Sequence, residues 1–70
     1  MIKIEKIGNS VTITHGNLKQ SFPLGVLIAH YSEKSENIDI KYKGSRKVVV
    51  SAPISEYSQG NITNINNLIN

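Results

Sequence analysis

The sequence predicts a mainly β domain of the α+β class. It reads as a three-stranded antiparallel meander plus a β-hairpin, with a short helical turn around 24–31 and a short C-terminal helix. Three observations carry this. Two Gly-Asn pairs, Gly8-Asn9 and Gly16-Asn17, punctuate the N-terminal third of the chain. Both are two-residue hairpin signals, because Gly and Asn tolerate the backbone angles these turns require. Apolar and polar residues alternate on either side of them, which is the period of a sheet with one buried face. The last residues instead space their apolar side chains at helical intervals.

The turns set the register. With Gly8-Asn9 as a loop, Ile7 faces Ser10, Lys6 faces Val11, Ile4 faces Ile13 and Ile2 faces His15. One face then carries Ile2, Ile4, Val11 and Ile13, and the other carries Lys3, Glu5, Thr12 and Thr14. Through Gly16-Asn17, His15 faces Leu18, Ile13 faces Gln20 and Val11 faces Phe22. A slip of one residue would send every apolar side chain to the wrong face. Pro23 lacks the N–H that a ladder needs, so the third strand is expected to end there.

Residues 24–31 read two ways. Leu24, Leu27, Ile28 and Tyr31 lie at i, i+3, i+4 and i+7, a helical stripe, and Pro23 suits a first helical position. Gly25 and the β-branched Val26 and Ile28 weaken a helix, which leaves a buried strand as the rival. The stripe favours a helical turn. Ser32–Asn37 is a polar loop. From Asn37 to Ala52, Ile38, Ile40 and Tyr42 alternate with Asp39, Lys41 and Lys43 before a turn at Gly44-Ser45-Arg46. A three-residue loop would pair Tyr42 with Val48, Ile40 with Val50 and Ile38 with Ala52. That choice separates an apolar face from a basic one.

Pro53 ends the last strand, and residues 1–60 are read as one small domain. The tail, 61–70, places Ile62, Ile65, Leu68 and Ile69 on a helical stripe, yet five of its ten residues are Asn. Asparagine is a poor helix former, and isolated helices below ~12–15 residues are marginal in water. The tail therefore needs a surface. That surface is either the domain's own sheet or a partner, for which Ile62, Ile65, Leu68 and Ile69 are the candidate contacts.

Seventy residues, no cysteine and a formal charge of +3 bound the function. Such a chain buries only ~60% of its unfolded surface. Disulfides and thiolate zinc sites are ruled out. The two histidines, His15 and His30, fall in different elements, so no metal staple is expected. Oligomerisation or docking onto a larger assembly is the remaining source of extra stability. No apolar run approaches the ~18 residues of a membrane span, and Met1–Lys6 alternates apolar with charged residues rather than forming a signal core. The expected location is the cytoplasm, or a virion if the chain is phage-encoded.

No arrangement in the sequence brings a nucleophile, a base and an acid together, and no Gly-rich phosphate loop is present. No catalytic residue, cofactor or metal is assigned. Lys41, Lys43, Arg46 and Lys47 cluster at the second hairpin, where a basic ribbon could follow phosphates or meet an acidic partner. Single-strand stacking would need exposed aromatics among them, and Tyr42 is assigned to the buried face. Solvated lysines that discourage edge pairing are the simpler account.

Two resemblances bear on function. Lys3–Ile13, with its basic strand, Gly8-Asn9-Ser10 and following strand, resembles the start of the swapped-hairpin DNA-binding domains of antitoxins and transition-state regulators. The Ile-Pro that opens the helix of those domains is replaced here by Ile13-Thr14-His15-Gly16, which leaves shared hairpin chemistry. Over most of its length the chain combines short strands, the Phe22–Gly25 step, a Lys/Val-rich strand, Ser51–Tyr57 and an Asn-rich tail. In this style it resembles the small β-rich accessory proteins of bacteriophage particles. The expectation is a non-catalytic structural or interaction module, a subunit of a homo- or hetero-oligomeric protein assembly. The alternative is a small DNA-binding regulator using the basic hairpin 41–47.

Overall fold

The computed structural model describes all residues, Met1–Asn70. Two antiparallel three-stranded sheets follow one another along the chain. The first contains β1 (Ile2–Ile7), β2 (Ser10–His15) and β3 (Leu18–Pro23). The second contains β4 (Leu27–Ser32), β5 (Asn37–Tyr42) and β6 (Val48–Pro53). A 3₁₀ turn over Ile54–Glu56 leads to the helix α1 (Ile62–Ile69).

The first sheet has the register the turns predict. Ile4 pairs with Ile13, Ile7 with Ser10, Ile13 with Gln20 and Val11 with Phe22. Gly8 (φ 60°) and Gly16 (φ 62°) adopt the left-handed region while the asparagines after them do not. That is the type II′ pattern, which puts glycine first and matches the twist of the flanking strands. Ile2, Ile4, Val11, Ile13 and Phe22 are buried on one face. Thr12, on the opposite face, is also buried and shares a 3.1 Å hydrogen bond with Ser21 on β3.

The helical turn expected around 24–31 is not formed; Leu27–Ser32 is the strand β4, so the expected hairpin is part of a second meander. Leu27 and Ala29 are buried, while Ile28 and His30, which alternate with them, are exposed. Period-two burial has won over the helical stripe, because β5 supplies the missing partner: Ala29 pairs with Ile40 and Leu27 with Tyr42. The β-branched Val26 and Ile28 suit this outcome.

The second hairpin also departs from expectation near its turn. Ile38 pairs with Ala52 and Ile40 with Val50, as expected, but Val48 pairs with Lys41 and not with Tyr42. The register shifts at Ile40/Lys41, which leaves Val49 as an extra residue on β6. Three consecutive valines make this possible, since any of them can face inward. Val49 and Val50 pack against the core, and Val48 is left 45% exposed.

One core joins everything. The inner faces of both sheets meet Tyr57 and two helix residues, Ile65 and Ile69, in a single buried cluster. Phe22 and Tyr42 bridge the sheets edge to face, with ring centroids 5.9 Å apart, a favoured aromatic geometry. The helix lies on β4 and β1. Asn61 caps it by accepting a hydrogen bond from the Asn64 amide, which satisfies one of the orphan donors of the first turn. The tail therefore lies on its own domain. Ile65 and Ile69 are 0% exposed, and Ile62 and Leu68 pack beside them. Of the four candidate partner contacts, Ile65 and Ile69 are thus used within the chain's own core, while Ile62 and Leu68 stay half-buried at its margin.

Candidate interaction surface

Two open sheets have four edges, and the register says which backbone groups point out of each. In an antiparallel ladder, residues that exchange hydrogen bonds with one neighbour alternate with residues whose N–H and C=O point the other way. On β1 the outward residues include Ile2 and Ile4. The Ser58 amide donates to the Ile2 carbonyl at 3.0 Å, and Gln59 Nε2 donates to the Ile4 carbonyl at 3.1 Å. The segment entering the helix covers this edge over Ile2 and Ile4 and leaves Lys6, the next outward residue, exposed.

The β4 edge is covered at Ala29 by one side chain, while Tyr31, the next outward residue, is exposed. The Ala29 amide donates to Asn66 Oδ1 at 2.9 Å, and Asn66 Nδ2 donates to the Ala29 carbonyl at 3.2 Å. The carboxamide thus stands in for one residue of a neighbouring strand. The Gly25 amide donating to the Ile69 carbonyl ties the end of the helix down beside it.

The β6 edge is open but interrupted. Val50 and Ala52 face β5, which turns Ser51 outward. Pro53 has no N–H, and the extra Val49 bends the strand. Such features discourage strand addition.

The β3 edge is the remaining one, and it is the most regular. Leu18, Gln20 and Phe22 pair with His15, Ile13 and Val11, and the Leu24 amide continues that series by donating to the Asn9 carbonyl. Lys19 and Ser21 therefore present their N–H and C=O groups outward. No backbone hydrogen bond meets them, and residues Leu18–Ser21 are exposed throughout. Leu18 points to the core side of the sheet yet is 59% exposed.

The basic residues are placed differently from one another. Lys43, Arg46 and Lys47 are exposed in the loop between β5 and β6, where the Lys47 amide donates to Ser45 Oγ. Lys41 is half-buried on β5, opposite the exposed Val48 and Ile28. The only ion pair joins Lys3 and Glu5, so these four cations are unpaired. Tyr42 is engaged with Phe22 and is not free to stack a base.

The outer face of the second sheet carries one row that resembles catalytic chemistry: His30, Asp39 and Ser51 lie side by side on β4, β5 and β6. Ser51 Oγ donates to Asp39 Oδ1, and Asn37 Nδ2 lies 3.4 Å from Ser51 Oγ. The order is wrong for nucleophile activation, which requires the imidazole between serine and carboxylate. Here the carboxylate is central. His15, on the first sheet, lies outside this row. No pocket indents the surface, and no three metal-ligating side chains converge.

Of this surface, composition marks the basic loop. The β3 edge has no compositional mark, although the alternation of the ladder identifies Lys19 and Ser21 once the register is known. Asn66 had no local signal, since its partner lies 37 positions away. No family model, curated protein or solved structure matches the chain.

Proposed function

We propose that this chain is a non-catalytic interaction module, a small subunit of a larger protein assembly joined to its neighbour by strand addition. The observation that carries this is the β3 edge. Two of the four sheet edges are partly covered from within, at Ile2, Ile4 and Ala29, and one is interrupted, while β3 offers two successive uncovered outward residues and an exposed leucine. Main-chain hydrogen bonds at such an edge supply affinity, and the alternate side chains supply specificity. A bacteriophage particle is the setting that the sequence style favours.

The second reading is a DNA-binding regulator, favoured by the unpaired Lys43, Arg46 and Lys47 in one loop. Salt separates the two. Binding to phosphates releases counterions and weakens steeply as salt rises. Self-association of a chain carrying +3 is held or strengthened by salt, because like charge is screened. Sedimentation velocity and fluorescence anisotropy with a generic duplex, each run from low to physiological salt, make the test. Species heavier than the 7.7 kDa chain that persist with salt are expected. A monomer at every concentration that binds duplex at low salt and releases it at high salt would establish the regulator instead.

A further inference from the structure

We infer that the β3 edge is built to receive a second copy of itself in one register, forming a two-fold dimer with a continuous six-stranded sheet. This rests on the interaction-module reading and names its partner. A two-fold axis pairs β3 with β3 antiparallel, and a ladder forms only when outward residues meet outward residues. Lys19 and Ser21 are those residues, so three registers are available.

Two of the three are disfavoured by the side chains. Placing Lys19 opposite Lys19 of the second copy sets like charges directly across the strands, which is destabilising. Placing Ser21 opposite Ser21 brings Lys19 opposite Pro23, which has no N–H to donate. The third register puts Lys19 opposite Ser21 on both sides of the axis. Both outward residues of each copy then exchange both of their hydrogen bonds, and neither a charge pair nor a proline falls among them.

The side chains fit that register as well. Gln20 comes opposite Gln20 of the second copy at a position where no backbone bonds are exchanged, so the two carboxamides can bond to each other. Leu18, 59% exposed in the single chain, comes opposite Phe22 of the second copy on the core side of the sheet. The contact is one strand wide, below the ~1,200 Å² of a permanent interface, so the dimer forms in a concentration-dependent way.

The chain has no cysteine, so single cysteines report the register directly. In the preferred register the two copies of residue 20 sit at a non-hydrogen-bonded pair with Cα atoms about 4.5 Å apart, within disulfide reach. The two copies of residue 19, and likewise of residue 21, are offset by two positions along the strand, about 8 Å apart and out of reach. Gln20→Cys should cross-link under mild oxidation at least tenfold faster than a Ser35→Cys control in the exposed loop before β5, while Ser21→Cys behaves like the control. Lys19→Pro removes an outward N–H and leaves the β2–β3 ladder intact. It should keep the circular dichroism of the parent and sediment as a monomer, with Ser21→Pro as a second blocking variant if the first misfolds. Cross-linking of Gln20→Cys at the control rate, or faster cross-linking of Ser21→Cys, would overturn the register. An oligomer that survives in the folded proline variant would overturn the β3 dimer while leaving an assembly role through another surface.

Discussion

Asn66 and Asn67 are neighbours on one turn of α1, and replacing each by Ala should move stability in opposite directions. Asn66 makes two hydrogen bonds to the Ala29 backbone at the partly buried edge of β4. Each is worth a net ~0.5–1.5 kcal/mol, so their loss costs about 2 kcal/mol. Alanine returns roughly 0.5 kcal/mol of helix propensity, leaving a net loss of about 1.5 kcal/mol. Asn67 is exposed and its side chain makes no hydrogen bond within the chain, so Asn67→Ala should gain roughly 0.5 kcal/mol from propensity alone. In a domain of this size 1 kcal/mol shifts the melting temperature by ~4–8 °C. Thermal melts should therefore show Asn66→Ala several degrees below the parent and Asn67→Ala slightly above it. Amide exchange should show Ala29 losing protection in the first variant only. If Asn66→Ala melted with Asn67→Ala and Ala29 stayed protected, the carboxamide would not be covering this edge.

Two further outcomes follow from the packing. Truncation after Gly60 removes Ile65 and Ile69, both fully buried. At ~1.5–3 kcal/mol per side chain this matches or exceeds the ~3–5 kcal/mol that so small a core supplies. The shortened chain should show no cooperative melt, and a stable truncated domain would refute the placement of the helix in the core. Tyr57 is buried, its hydroxyl donates to the Ile38 carbonyl at 2.6 Å, and burial, with the Asp39 carboxylate second, pushes its pKa up to about 12. Folding thus favours the neutral phenol. The corresponding stability, about 2–3 kcal/mol, is fully present below pH ~10, where the unfolded phenol ionises, and is lost as pH rises toward about 12. Urea melts between pH 9 and 12 should show this loss, and Tyr57→Phe should lack that limb; equal pH dependence in both proteins would contradict it.

The parts of the fold legible in the sequence are those governed by local rules. Gly8-Asn9 and Gly16-Asn17 specify both turn type and loop length, and with period-two patterning that fixed all three strands of the first sheet. Where patterning was ambiguous, tertiary partners decided. Leu24, Leu27, Ile28 and Tyr31 satisfy a helical stripe, but β5 offered a ladder to Leu27–Ser32. Val48, Val49 and Val50 carry no internal period, so the extra residue on β6 could not be read from them. The helical stripe of Ile62, Ile65, Leu68 and Ile69 was visible, and what it packs on was not, because that depends on the space left between β1 and β4. The basic loop was legible as composition. The open edge required knowing that Ser58, Gln59 and Asn66 return to cover parts of β1 and β4.

Whether β3 is a working edge is tested most directly by amide exchange at Lys19, Gln20 and Ser21 across a concentration series. The Gln20 amide faces Ile13 within the chain, whereas the Lys19 and Ser21 amides face outward. Assembly through this edge predicts that Lys19 and Ser21 exchange freely when dilute and gain protection together as concentration rises, by tenfold or more, while the sheet keeps Gln20 protected throughout. Equal, unprotected exchange at Lys19 and Ser21 in samples that sedimentation shows to be oligomeric would contradict it.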